Sequence, residues 1–374
     1  MQSPKRVKMQ SSYTGGPMVV FTDVECDDFS ALIVLCQLAA KYNSEITLVI
    51  TRRKSNVLKK IASNVAGSLE FLGFKNLRVL YDYGDSDLEV SDEYVMGSVY
   101  ESPVEELKFD DTDSMHRQLN IKDRTVAPTY VVIDVPYTFM KAVRAGLWIS
   151  DSNIWTYGSF NYRQMTSDQR SELLQIFSKC KNVFVFECYQ MFSGGNNSLN
   201  KTSALEFYAA LESANDLSRD ATGNAYAYML GQIASTWNRC VAEDCADTMF
   251  SILGPSVWTE NEWRVINKKY VMEEAEKLAS TDASTSARLK RNLQAYKNTV
   301  SEPYQMLAAD GVVALSMASL LPNLELKPSR LSFNEIGYSQ FTSEDSESNL
   351  FYAFFPNGIN DVIPAFTQLV TSKL

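Results

Sequence analysis

Thr22-Asp23-Val24-Glu25-Cys26-Asp27-Asp28 is the stretch from which the rest of this chain can be read. It follows Met18-Val19-Val20-Phe21, a short run of β-branched and aromatic residues that reads as a buried strand. A helical run, Phe29 to Tyr42, begins directly after the aspartates. Ligands in an open parallel sheet gather beyond the carboxyl ends of its strands, so these carboxylates stand at a ligand-holding edge. Two readings fit them. Asp27 or Asp28 can cap the helix by accepting its orphan N–H groups. Alternatively, the cluster holds a hard divalent cation, because carboxylate oxygens suit calcium and clustered carboxylates repel without a compensating charge.

Outward from this junction the pattern alternates. Glu45 to Ile50 reads as a strand. Asn56 to Gly73 reads as a helix with Val57, Ile61, Val65, Leu69 and Leu72 at helical spacing, and Leu77 to Leu80 as a third strand. This β-α-β-α-β order implies a parallel sheet with right-handed crossovers. Further strands are predicted at Tyr130–Ile133, Asn153–Tyr157 and Asn182–Phe186, with a helix from Ser167 to Ser178. The expected architecture is α/β: an open, mostly parallel sheet with helices on both faces. A flexible tail is expected over 1–17 and a single domain over 18–374, with a helical elaboration at 202–301. The last segment, from Arg330, reads as strands and a closing helix. No GxGxxG follows the first strand, which argues against a dinucleotide-binding site.

The 374 residues carry a net charge of −10. That balance argues against nucleic acid as a general partner, which needs a basic surface, and it suits cation binding. Twelve Asp or Glu against one Lys between Asp82 and Asp113 read as an acidic insertion, most of it a solvated loop. His116, the single histidine, has no partner signal and reads as a surface residue. The six cysteines lack zinc-type spacing and suit a reduced, intracellular setting. No apolar stretch is long enough for a transmembrane helix, and no secretory signal is visible. The compartment expected is the cytoplasm, or the peroxisome if the terminal Ser372-Lys373-Leu374 is an address. Without a secretory signal, the sequons at Asn196 and Asn200 carry little weight.

The stretch resembles the opening motif of the nucleoside hydrolases, Asp-Thr-Asp-Pro-Gly-x-Asp-Asp after the first strand. Asp23, Asp27 and Asp28 match its last three aspartates. Val135-Pro136-Tyr137-Thr138-Phe139 looks like the family's Gly-Pro-Leu-Thr-Asn turn, and Ser159-Phe160-Asn161 like its Glu-Phe-Asn motif. Ala309-Asp310-Gly311 looks like the His-Asp-Pro that opens a late helix. The resemblance implies calcium held by Asp23, Asp28, Asp310 and the backbone oxygen of Thr138, with Asp27 and Asn161 orienting a ribose. It implies hydrolysis of the N-glycosidic bond of a ribonucleoside by a calcium-held water, with Asp23 as ligand and general base together. It also implies a homo-oligomer.

The departures are as specific. Phe21 stands for the first aspartate and Glu25 for the loop glycine. Ser55 stands for an asparagine, Ser159 for the ribose-binding glutamate and Ala309 for the histidine. Trp155, Tyr157, Trp258 and Tyr304 are candidates to stack on a leaving base, or simply core. Arg52-Arg53-Lys54 reads as a phosphate contact or a solvated basic turn. Two functional expectations follow. One is a calcium-dependent N-ribohydrolase. The other is a catalytically degenerate relative with a binding or assembly role.

Overall fold

The computed structural model describes residues 13–24, 26–51, 55–71, 73–83, 101–121, 125–158, 160–187, 309–321, 324–334, 337, 339–343 and 348–355. In chain order these form β1 (Met18–Thr22), α1 (Cys26–Lys41), β2 (Ile46–Ile50), α2 (Ser55–Phe71), β3 (Leu77–Tyr81), β4 (Glu105–Glu106) and α3 (Thr112–Gln118). Then come β5 (Thr129–Val132), α4 (Tyr137–Arg144), β6 (Asn153–Tyr157), α5 (Phe160–Arg163), α6 (Ser167–Phe177) and β7 (Asn182–Phe186). The last are α7 (Ala309–Met317), β8 (Glu325–Phe333), β9 (Ser339–Ser343) and β10 (Leu350–Phe354). All belong to one compact unit, Met1–Gly231 with Leu307–Leu374. The second unit, Gln232–Met306, lies outside the described residues, as do Trp258, Tyr304, the sequons and the terminal Ser372-Lys373-Leu374.

Among the described residues the strands form one ten-stranded sheet in the order β4-β3-β2-β1-β5-β6-β7-β10-β8-β9. Every neighbouring pair from β4 to β10 is parallel; β8 and β9 extend the far edge antiparallel. The central strands are short apolar runs, and β1, β2 and β5 are buried along their whole length, as a sheet covered on both faces requires. Right-handed crossovers fix the helices. The chain steps one way from β1 through β3 and the other way from β5 through β7, so α1 and α2 cover one face and α4 to α6 the other. On the α4–α6 face, Phe21, Val132, Phe139, Tyr162 and Phe177 share one core. α7 packs on α1. Two positions past the end of α2, Gly73 has a φ of +91°, the left-handed turn that glycine accepts most readily.

Two expectations change. His116 is buried, not on the surface: α3 turns it inward with Met115, and its Nε2 accepts the Trp148 amide at 3.2 Å. A backbone partner leaves no trace in sequence. Tyr13, inside the stretch read as a tail, is buried, and its amide donates to the Met317 carbonyl at 3.3 Å. Within the acidic run the described residues include a strand at Glu105–Glu106, Asp111 capping α3 and a buried Asp82.

Candidate active site

Strand order reverses between β1 and β5, the point at which an open α/β sheet opens a crevice beyond its carboxyl edge. The ladders set what lines it. Tyr81, Ile50 and Thr22 are register partners, Ile133 continues β5 by donating to the Phe21 carbonyl at 3.0 Å, and Tyr157 pairs with Phe186. One position further lie Asp82, Thr51, Asp23, Asp134, Gly158 and Glu187, one from each strand. Ladder bonds from Asp82 to Ile50 (3.0 Å), Thr51 to Thr22 (2.9 Å) and Gly158 to Phe186 (2.7 Å) hold this row in line. Alternation along each strand turns the row toward the side of α4 and α5. Asp23 and Asp134 flank the switch point itself.

The row is wired to its surroundings. Asp82 accepts from the Thr138 hydroxyl at 2.9 Å and from Lys141 Nζ at 3.1 Å, both on α4. Thr51 donates to Asp134 Oδ2, and the Val135 amide donates to Oδ1 of the same carboxylate. Thr22 donates to Asp28 Oδ1 at 2.5 Å and accepts from the Val24 amide at 3.1 Å. Val24 is held at φ +57°, a left-handed conformation that costs a β-branched residue about 1–3 kcal/mol. This strained turn carries the chain from Asp23 into α1.

Asp310 arrives from α7, and the direction of that helix follows from its far end. Tyr13 bonds the carbonyl of Met317 at the end of α7, and its ring meets Tyr42, just past α1, edge-on at 5.4 Å. The C-terminal ends of α1 and α7 therefore lie together, and both N-termini face the carboxyl edge of the sheet. Their positive dipole ends, with that of α4, point at the acidic row and offset part of its charge.

Asp23, Asp28, Thr138, Asn161 and Asp310 are thus all buried at this edge. Asp27 lies in the first turn of α1, with its side chain outside the described residues. Thr138 is helical, in the first turn of α4, and brings its hydroxyl to Asp82. Asn161 donates both amide hydrogens to backbone, to Ile133 O at 3.2 Å and Tyr157 O at 3.4 Å. Trp155 and Tyr157 are core: the Trp155 ring lies 4.3 Å from that of Phe184. Arg52-Arg53-Lys54 and Ser159 lie outside the described residues. Sequence reasoning missed Asp82, Asp134 and Glu187. One signal was present: each follows an apolar strand directly, as Asp23 does nearly so.

The donors that the resemblance implies, the carboxylates of Asp23, Asp28 and Asp310 with the Thr138 backbone carbonyl, are all oxygen, the chemistry of a hard cation such as calcium. Buried like charges at one edge also call for a positive partner. Among the described residues no group of three or more His, Cys, Asp or Glu side chains is drawn together closely enough to hold an ion.

No family model matches the chain, and no curated protein matches it by sequence. Solved structures do. A purine-preferring ribonucleoside hydrolase from Gardnerella vaginalis aligns at TM-score 0.55 and 12% identity, over 94% of this chain and 98% of its own. The plant nucleoside hydrolase PpNRh1 aligns at TM-score 0.55 and 11% identity, over 96% and 100%. The type III effector protein XopQ, solved with adenosine diphosphate ribose, aligns at TM-score 0.56 and 11% identity, over 97% and 96%. The chain has a nucleoside-hydrolase-like α/β fold in a divergent form. Among the described residues no helix is long and apolar enough to cross a membrane.

Proposed function

We propose that the protein hydrolyses the N-glycosidic bond of a ribonucleoside or related N-riboside. The observation that carries this reading is burial at the carboxyl edge of the sheet of three carboxylates from separate elements: Asp23 after β1, Asp28 in α1 and Asp310 in α7. Neighbours of this fold include two nucleoside hydrolases and a type III effector protein solved with adenosine diphosphate ribose. Asp23, Asp28, Asp310 and the Thr138 backbone would hold calcium, which supplies positive charge for sugar hydroxyls and makes a water more acidic.

The chain's own residues do the rest. Asp23 takes the proton of the attacking water as C1′ develops positive charge. Its position is stiffened by the strained Val24 turn and by ladder bonds on both sides. Asp27 and Asn161 orient the ribose, and orientation alone removes a large part of such a barrier. Water adds across the C1′–N bond: the sugar gains a hydroxyl and the base gains a hydrogen.

The test is release of ribose from a nucleoside panel with calcium present. Turnover that falls about 10²–10⁴-fold in Asp23→Asn supports the reading. An inactive wild type with calcium demonstrably bound overturns it. A second reading is a binding protein without turnover. It draws on Asn161, whose amide hydrogens brace the ends of β5 and β6.

A further inference from the structure

Glu187 ends the register row, directly after β7, and is 6% exposed. Its carboxylate does not rise away from the sheet. It leans back over β6: a Cβ built on Gly158 would collide with Glu187 Oε1, come within 3.1 Å of its Cδ and reach 2.9 Å from Tyr162 Cε2. Gly158 is not in the left-handed region, so the room it leaves, rather than its backbone, is what calls for glycine. That lean carries the carboxylate from the rim of the row toward the switch point.

Asn161 stands on the same turn. Its amide donates to the Gly158 carbonyl at 3.2 Å, and its side-chain NH₂ is committed to the carbonyls of Ile133 and Tyr157. What Asn161 has to offer a ligand is its acceptor, Oδ1. A carboxylate likewise only accepts, at about four lone-pair sites. Two acceptors at the 157–158 turn suit a ligand rich in hydroxyl donors. Burial first, and the charge of Glu187 in addition, hold the nearby phenols of Tyr162 and Tyr352 protonated.

We propose that Glu187, with Asn161, forms the hydroxyl-accepting end of the site, positioning two hydroxyls of a ribosyl group. This rests on the ribosyl reading above. Neither residue touches the breaking bond, so both are positioning residues.

The test uses the calcium-loaded full chain, with D-ribose binding by calorimetry, inosine turnover, and melting temperature. Glu187→Gln keeps the shape and removes the charge. It is expected to weaken ribose binding about tenfold or more, the range of a lost charge-assisted hydrogen bond. It should raise KM more than it lowers kcat, with melting unchanged, and Glu187→Asp should recover part of the loss. Ribose binding equal to wild type in Glu187→Gln overturns the inference, and if wild type still turns over inosine the hydrolase reading stands. Wild type that binds ribose without turnover overturns the hydrolase reading, while the variants' ribose affinity still decides for or against Glu187. Wild type that neither binds ribose nor turns over inosine overturns both.

Discussion

At the residue scale, Gly158 shows how closely one end of the site is fitted. Its absent side chain is the space that the Glu187 carboxylate and the Tyr162 ring share. Gly158→Ala should destabilise the protein by about 1–3 kcal/mol through overpacking. Glu187→Ala in the same chain should relieve most of that loss, because the pair is coupled. Urea unfolding of the two single variants and the double variant measures this, and simple additivity would refute the packing described. The same scale explains what the sequence concealed. Asp23 was legible because it stood near Asp27 and Asp28 and matched a motif. Asp134 and Glu187 each stand alone after an apolar strand, where a solitary acid is an ordinary strand end. Their common row exists only once six strands are in register.

Among elements, the strands were the legible part. Short apolar runs placed β1, β2, β3, β5, β6 and β7 within a residue or two, because a strand buried on both faces has little choice of composition. The segment around Thr138, read as a turn, is the first turn of α4, entered through Pro136 at φ −74°. Proline suits a helix start as well as a turn, so spacing alone could not separate them. α4 is tied to α6 by a two-pronged pair, Arg144 Nε to Glu172 Oε1 at 2.7 Å and Nη2 to Oε2 at 2.5 Å. Hydrogen bonding from Arg144 holds the Glu172 carboxyl below its usual range, against burial and with help from the guanidinium charge. A folded pKa below the unfolded one stabilises at pH values above the ordinary carboxylate range. That contribution is lost as pH falls through the lowered folded value. Arg144→Ala should therefore cost up to about 1 kcal/mol at neutral pH, small because the pair is partly exposed. The difference from wild type should vanish in strong acid. Unfolding midpoints across pH check it; an unchanged difference in acid would assign the loss to packing.

For the whole molecule, the α/β class and the parallel sheet followed from element order, and the nucleoside-hydrolase-like likeness from residues 23 to 28 and their companions. The far edge did not: β10 joins β7 in parallel although β8 and β9 precede it, and nothing local encodes that order. If calcium binds the native state at this edge, free ion at about 100 times its Kd adds about 2.7 kcal/mol of stability. Chelation should reverse the rise in melting temperature, and Asp28→Asn should abolish most of it. A melting curve indifferent to both calcium and chelator would remove the metal from the account.

The helix that carries Asp310 has a consequence in time. α7 lies far along the chain from β1, yet its first turn meets the same edge as Asp23 and Asp28. At roughly 5–20 residues per second on a ribosome, the first aspartates emerge tens of seconds before the last one. Until then the early strands have no α7 to lie beside α1. A nascent or truncated chain ending before α7 can pair its strands but cannot close this site. Ion binding would then mark the chain whose synthesis has run almost to its end.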